Sequence, residues 1–579
     1  MCGIWALIEK SNTNQNVDKY LADFWQLKHR GPDNSHFETF DQVFVGFHRL
    51  AIMDTSYAHR ARSNQPYIFN DIDRTIVFIC NGEIYNFQQL DKKYNFNIGT
   101  SDCMIIPKLY LLAKDNNEWF NMMKNEVQGE YAFIMFEFDN MQQLVKYYAG
   151  RDIIGIRPLY TVDNHNCDNK IDMFSSEIKG MSSFDGKIKE FEPGKILMVE
   201  KTLNFYNYEY FDMKIDLYNK YNNSINFYKS SSTNNNYIND IDIILPKIRT
   251  SVINSIRRRL NAERPIAFLL SGGVDSSLVA AISAKILGGP KSHIRTFCCG
   301  IKGSTDMIYA KMVAEHIGSN HTEVYFTEEE GLAAIDDVIR TTETWDITTI
   351  RASVGQYLVS KYISEHTDCK VVLVGEGPDE VCSSYLFNYY APNGEELDKA
   401  SKEYVKNIHM FDGRRADRCV SRWGLEARIP LLDPEFIDTY WSIKPELRMP
   451  SHSYEGKSIE KYLFRKAFDE SSFLTNILPN EVLFRKKEAF SDGVSSKERS
   501  WYEMIQEYIN KKFETNNYEI PEEILGTNMP PTKEAQYYLY KFIEYFGKHR
   551  VSILPHYWQP KWTNNKFIDP SARVLSVYN

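Results

Sequence analysis

Three groups of residues in this chain have types and spacings suited to chemistry. The first is Cys2, directly after the initiator methionine. A small residue at that position permits methionine removal and leaves a thiol and a free α-amine on one residue. With reference pKa values of about 7.7–8.0 for the amine and about 8.5 for the thiol, the amine can take the thiol proton near neutral pH, directly or through a water. The second is Ser271-Gly272-Gly273-Val274-Asp275-Ser276-Ser277, between an apolar run at 266–270 and a helical pattern at 278–287. Backbone N–H groups, hydroxyls and a helix dipole at such a loop favour a polyphosphate. The third is Gly375-Glu376-Gly377-Pro378-Asp379-Glu380, an acidic turn after the apolar run 371–374. The carboxyl end of a strand is where open α/β sheets hold ligands. Each group also has a plain structural reading: a chance cysteine near a terminus, a Gly-rich turn, a solvated acidic turn.

The elements that must position these residues are legible as two regions. Over roughly the first 190 residues, β-rich runs at 43–50, 75–80, 131–138 and 143–149 are separated by Gly, Asn and Asp turns, with helical patterns at 17–28 and 102–114. This mixture predicts stacked sheets with helices outside. Residues 219–239 are Asn-rich without a sustained period and read as a linker or insertion. From about 240, apolar runs at 266–270, 294–298, 322–326 and 371–374 alternate with helical stretches, which predicts a parallel, doubly wound sheet. In 278–287, Leu278, Ile282 and Ile286 recur at four-residue spacing and Gly288-Gly289-Pro290 supplies a stop. The last part of the chain is helix-rich, and the tail is Pro/Asn-rich.

Composition sets the frame. The chain has 579 residues with 43% hydrophobic and 25% charged, enough to bury large cores and too apolar for a wholly disordered protein. A net charge of −9 gives no sign of a general nucleic-acid binder. No apolar run reaches membrane-span length, and the N-terminus lacks a basic, apolar leader. The 9 cysteines are scattered, without CxxC spacing, which argues against a disulfide framework or structural zinc site. The expectation is a cytoplasmic, multidomain protein.

Beyond Cys2-Gly3-Ile4, the N-terminal region carries His29-Arg30-Gly31-Pro32-Asp33, Arg49-Leu50-Ala51-Ile52-Met53-Asp54, Asn81-Gly82-Glu83-Ile84-Tyr85-Asn86 and Ser101-Asp102-Cys103. In this order they resemble the glutaminase domain of class II glutamine amidotransferases, of the N-terminal nucleophile hydrolase superfamily. The resemblance covers roughly 1–200 and implies an α+β sandwich with αββα layers. It implies that Cys2 is the nucleophile and that the Asn81 side chain and Gly82 N–H form the oxyanion hole. Arg49 would grip the glutamine α-carboxylate, and Glu83 and Asp102 its α-ammonium. Leu50, Ala51, Ile52 and Met53 complete the implied glutamine-binding set.

The 271–277 loop resembles that of N-type ATP pyrophosphatases; it lacks the Lys of GxxxxGK[ST]. Thr348-Thr349-Ile350-Arg351-Ala352-Ser353, Glu455-Gly456-Lys457, Glu460-Lys461, Trp423–Pro430, Lys487–Gly493, Thr532-Lys533-Glu534-Ala535 and Asp569-Pro570-Ser571-Ala572-Arg573 extend the match. Nearly the whole chain is thus similar to the glutamine-hydrolysing asparagine synthetases. The resemblance implies a glutaminase domain at 1–200, a linker at 201–240, a synthetase domain at 241–560 and a tail at 561–579. It implies ATP contacts at Leu270, Ser271, Gly272, Gly273, Asp275, Ser276, Cys299, Val374 and Gly375, and aspartate contacts at Thr348, Thr349 and Arg351. Mg²⁺ would lie on Asp275 and Asp379, with Glu376 serving adenylate formation and Lys461 the pyrophosphate and reacting groups. Glutamine, aspartate and ATP are the implied partners, with an internal route for ammonia; no nucleic acid or membrane is implied, and a homodimer stays open.

Val374 and Pro378 depart from the family pattern. Pro378 lacks an N–H and is expected to bias Gly377 toward extended geometry. Cys299 stands where an aliphatic residue is usual and is expected to pack like one. The β-lactam synthetase type shares the layout without the N-terminal nucleophile, and other class II amidotransferases lack the SGGVDSS loop. A non-catalytic sensor of glutamine or nucleotide is the alternative of another class. It would be expected to lose Cys2, Asp275 or Asp379, and all three are present.

Overall fold

In the computed structural model, strand Arg74–Ile84 shows how the N-terminal region is layered. Ile76, Phe78 and Cys80 alternate with Val77 and Ile79, the period of two of a strand. The first set packs with Leu109, Trp119 and Phe133, under helices Phe87–Tyr94, Ile105–Leu112 and Asn116–Asn125. The second packs with Ile4, Val45, Ile134 and Phe174, between two six-stranded sheets. Gly3–Glu9 is central in one of these sheets, antiparallel to Val43–Arg49 and to Ile171–Ser175. On that sheet's other face, helix Val17–Trp25 lays Phe24 on His48 with ring centroids 4.0 Å apart and on Trp5 at 6.3 Å. The layers are αββα, as the resemblance implies.

The structure describes all residues but 11–16, 56–62, 72, 100, 164–169, 203–205, 215–216, 218–236, 289–293, 451–452, 455–456, 470–475, 489–492, 496–498, 521–523, 525–529, 556, 564–568 and 570–579. Two compact units emerge: Met1–Ile215 with Asn261–Arg264 and Ser421–Glu426, and Asp216–Leu260 with Pro265–Val420 and Ala427–Asn579. The first unit outruns the expected boundary at 200 because Tyr206–Asp212 pairs with Lys195–Lys201 as a further antiparallel strand. Most of the Asn-rich 219–239 lies outside the described residues, as do Gly289-Pro290, Glu455-Gly456, Ala489–Asp492 and Pro570–Arg573. Ile238, at the end of the Asn-rich stretch, bridges Ile443 in parallel.

In the second unit, Ile266–Leu269 pairs in parallel with Arg295–Gly300 on one side and Val371–Leu373 on the other. Arg295–Gly300 pairs in parallel with Asn320–Tyr325. The chain therefore runs outward from Ile266–Leu269 and returns to its opposite flank. That reversal is a topological switch point, and the loops after the two adjacent strands open toward one crevice. Helix Val274–Leu287 starts at Gly273 and ends at Gly288, whose φ of +121° only glycine adopts readily.

Gly46, opposite Trp5, lets the Phe24 ring lie on the strand: a Cβ there would come within 2.4 Å of Phe24 Cδ2. Gly46→Ala should destabilise the first unit by about 1–3 kcal/mol through overpacking. A lowered denaturant midpoint, read by the near-ultraviolet signal of Trp5, checks this.

Candidate active sites

The N-terminal site is built on strand ends. Pairing of Gly3 with His48 brings Cys2 beside Leu50, whose carbonyl accepts from the Cys2 thiol at 3.8 Å. Arg30 Nε donates to the Cys2 carbonyl at 3.0 Å, and Nη1 of the same guanidinium pairs with buried Glu177 at 2.6 Å. Ser176 binds the second strand residue: its hydroxyl accepts from Ile4 N–H at 3.0 Å. These backbone clamps were not singled out from sequence, although His29-Arg30-Gly31 carried the signal. A Cβ on Gly31 would meet the His48 carbonyl at 2.2 Å, so only glycine lets this turn reach the strand.

With Met1 in place, the α-amine belongs to Met1 and donates to the Leu425 carbonyl at 3.3 Å. Burial pushes that amine down to about 6 and the Cys2 thiol up to about 11. The thiol of the unprocessed chain is therefore protonated at neutral pH.

Asn81 sits near the end of strand Arg74–Ile84 with 1% exposure. Its Nδ2 is buried with no hydrogen-bond partner among the described residues. An orphaned amide donor costs about 1–3 kcal/mol, so this donor is available to an acceptor that the described residues do not supply. Gly82 faces Tyr131, and a Cβ there would lie 2.5 Å from the Glu130 carbonyl. Arg49 is buried, with Nη1 on Asn64 Oδ1 at 3.0 Å and Nη2 on the Met53 carbonyl at 3.1 Å. The 50–53 turn is fixed by Ala51 N–H donating to Asp33 at 2.8 Å; Leu50, Ala51 and Ile52 are buried. Glu83 is buried as well. Asp102 accepts from Ile84 N–H at 2.6 Å, which ties it to the strand carrying Asn81 and Glu83. Burial pushes its carboxyl up to about 6.

The second unit holds a cavity of about 570 Å³ at the switch point. Leu270, Ser271, Gly273, Asp275, Ser276, Cys299, Thr348, Arg351, Gly375, Glu376, Asp379 and Lys461 line it, which brings most of the sequence-identified residues together. Gly272, Thr349 and Val374 are not in its wall. Gly272 has φ +71° and packs on Tyr309, whose Cβ would be 2.4 Å from an added Cβ. Thr349 is buried behind the helix start, its N–H on Asp346 at 2.7 Å. Val374 is buried and its N–H binds the Arg428 carbonyl at 3.2 Å.

Lys461 is the centre of the cavity's charge. Its ammonium lies 2.5 Å from Asp275 Oδ2 and 2.6 Å from Asp379 Oδ1. Burial alone would lower its pKa, but the two carboxylates hold it above the ordinary lysine value. Asp379 also pairs with Lys487, whose ammonium lies 4.8 Å from the Tyr385 ring centroid. Burial works to raise Asp379, and the two lysines overcome it and hold the carboxyl well below its usual range. Lys487 was read only as part of a matched segment; its role became visible through this convergence. Glu376 is pushed up by burial, accepts from Gln356 Nε2 at 3.1 Å and lies 3.5 Å from Arg415.

Pro378 does not extend Gly377. Gly377 has φ +109° and caps helix Pro378–Val381. Without a Cβ, glycine escapes the usual restriction before proline, and at the first helical position the missing N–H is not needed. The result sets Asp379 at the strand's carboxyl end. Cys299 packs as expected, buried with its thiol on the Gly355 carbonyl at 3.1 Å. Arg351 reaches the wall, but its guanidinium already holds Glu534 and Asp569.

An αββα unit that opens on a cysteine and a doubly wound unit with a cavity at its switch point have the layout of a two-domain amide-transferring class. The model of the glutamine amidotransferase domain matches residues 1–209, and that of asparagine synthase matches 247–403 and 389–549. The chain is 37% identical to the asparagine synthetase [glutamine-hydrolyzing] of Gallus gallus, covering 100% of this chain and 99% of that one. It is 36% identical to a probable asparagine synthetase of Acanthamoeba polyphaga mimivirus, over 100% of each, and 35% identical to the Homo sapiens enzyme, over 100% and 99%. The chain belongs to the glutamine-hydrolysing asparagine synthetases. Among the described residues, no helix is long and apolar enough to cross a membrane.

The Asp102 carboxyl is charged above about pH 6 and neutral below it. Stability and binding respond in opposite senses. A raised carboxyl pKa contributes stability below its unfolded value and loses it as pH rises through about 6. Attraction for an ammonium exists only above that pH. The KM for glutamine in a glutaminase assay should therefore rise as pH falls through about 6, and Asp102→Asn should remove this pH limb.

Proposed function

We propose that the two units divide asparagine synthesis as follows. In the first, once Met1 is removed, the Cys2 amine takes the thiol proton and the thiolate attacks the glutamine carboxamide. Asn81 Nδ2 and the Gly82 N–H stabilise the oxyanion, ammonia leaves, and water hydrolyses the thioester to glutamate. Arg49 holds the α-carboxylate; Glu83 and Asp102 hold the α-ammonium. In the second, an aspartate β-carboxylate oxygen attacks the α-phosphorus of ATP, giving β-aspartyl-AMP and pyrophosphate. Ammonia then attacks the acyl carbon and AMP leaves, giving asparagine.

The observation that carries this reading is the Lys461 clasp: one ammonium on two carboxylates at the carboxyl ends of adjacent strands. Lys461 and Lys487 are placed to neutralise the phosphates as negative charge shifts to pyrophosphate. Glu376, held by Gln356 and Arg415, orients the groups around the adenylate. Asp275 Oδ1 is buried without a hydrogen-bond partner among the described residues. With Asp379 it offers the hard-oxygen donor pair that Mg²⁺ takes when substrate phosphates complete its shell. Bound there, Mg²⁺ would supply charge neutralisation on the phosphate oxygens. The free cysteines among the described residues support a reducing, cytoplasmic setting.

Two variants test the division. Cys2→Ala should abolish glutamine-supported synthesis and retain synthesis from ammonium chloride. Lys461→Met should lower pyrophosphate release with either nitrogen source by about 100-fold or more, on the scale of removing one charge-stabilising group, and keep glutaminase activity. Loss of both nitrogen sources in Cys2→Ala contradicts the division.

A further inference from the structure

Two of the matched segments, Thr532–Ala535 and the one opening at Asp569, take no part in the reaction derived above. They meet at Arg351. Glu534 receives Nε at 2.8 Å and Nη2 at 2.6 Å. Asp569 receives Nη1 at 2.9 Å and Nη2 at 2.7 Å. A guanidinium has five N–H donors, so these two bidentate pairs leave one. A third carboxylate has no bidentate seat. If Arg351 holds the substrate carboxylate, one of the two resident carboxylates must leave.

The two are not equally held. Glu534 lies on helix Lys533–Phe546, fully buried, and also accepts from Tyr538 at 2.8 Å and from Gln506. Removing Arg351 from it would strand a buried charge. Asp569 lies outside any helix or strand, and its side chain is 12% exposed. Arg351 with Glu534 is a neutral pair, and Asp569 places a second carboxylate on the same guanidinium. A substrate carboxylate would replace it bond for bond, with no change in local charge.

Tyr557, Trp558 and Lys561, from the last part of the chain, line the same cavity as Thr348 and Arg351. Trp558 packs edge-on to Phe387 at 5.7 Å, and Lys561 pairs with Glu403. An aspartyl side chain is thereby presented, from the chain itself, to the cation assigned to substrate aspartate.

We propose that Asp569 occupies the seat on Arg351 that the acceptor's carboxylate takes, so that this side chain competes with substrate aspartate and sets its apparent affinity. This rests on the reading that Arg351 contacts aspartate. A seat filled for most of the time lowers apparent affinity by the fraction left free.

The test uses the full chain, ammonium as nitrogen donor and AMP release at varied aspartate. Asp569→Asn should lower the KM for aspartate about three- to tenfold. An unchanged or raised KM overturns the competition, as expected if Asp569 only braces Arg351. Arg351→Gln separates the two layers. If it raises KM while Asp569→Asn fails to lower it, competition alone falls; if it leaves KM unchanged, the assignment of Arg351 to aspartate falls too. A second readout needs no variant. Saturating aspartate should speed tryptic release of the segment beyond Lys561 several-fold, and glutamate at the same concentration should not. An aspartate-independent cleavage rate overturns the proposal.

Discussion

A single ammonium organises the synthetase cavity. Asp275 stands at the start of a helix after one strand, and Asp379 in a short helix after the adjacent parallel strand. Two carboxylates brought this close in a buried cavity repel each other and lose hydration, and neither is tolerable without a cation between them. Lys461 supplies it from another part of the chain, with a left-handed backbone at φ +57°. Such a conformation costs a non-glycine residue about 1–3 kcal/mol, which two buried ion pairs offset. The cavity is thus held in a charge balance between two lysines and two carboxylates; in the proposed reaction, phosphate oxygens would compete for the same lysines and free the carboxylates for a cation.

The glutaminase site depends on a different constraint, the placement of backbone by sheet pairing. Among the described residues, the Cys2 thiol is oriented by a long contact with the Leu50 carbonyl. Its position comes from the strand it precedes, the Arg30 bond to its carbonyl and the Glu177 carboxylate that holds Arg30. Asn81 is left with an unspent donor because its strand fixes it where no acceptor among the described residues reaches. Each site therefore keeps an unsatisfied buried atom among the described residues, Asn81 Nδ2 in one and Asp275 Oδ1 in the other, at a residue the proposed reactions use.

Much of this was legible in sequence. Alternation and apolar runs marked 43–50, 131–138 and 371–374 because those strands bury whole faces. The two units and the cavity's main residues followed from motifs whose glycines admit close backbone approach. What stayed hidden required three dimensions. Tyr206–Asp212 is a largely exposed edge strand: its tyrosines alternate with Asn207 and Glu209, but the run has no apolar stretch of the kind that marked the buried strands. Lys487 and Arg415 act through partners far away in sequence, Asp379 and Glu376. Pro378 misled because the restriction before proline presumes a Cβ that Gly377 lacks. Thr349 belongs to a matched motif but serves its helix's first turn, which no spacing distinguishes from a ligand contact.

If the clasped cavity joins the acceptor carboxylate to the α-phosphorus of ATP, one carboxylate oxygen must pass to the nucleotide. Aspartate labelled with ¹⁸O in its β-carboxylate, supplied with ATP and ammonium, tests it most directly by mass spectrometry of the released nucleotide. One labelled oxygen from each aspartate consumed should appear in AMP. Unlabelled AMP, or release of ADP carrying no label, contradicts it.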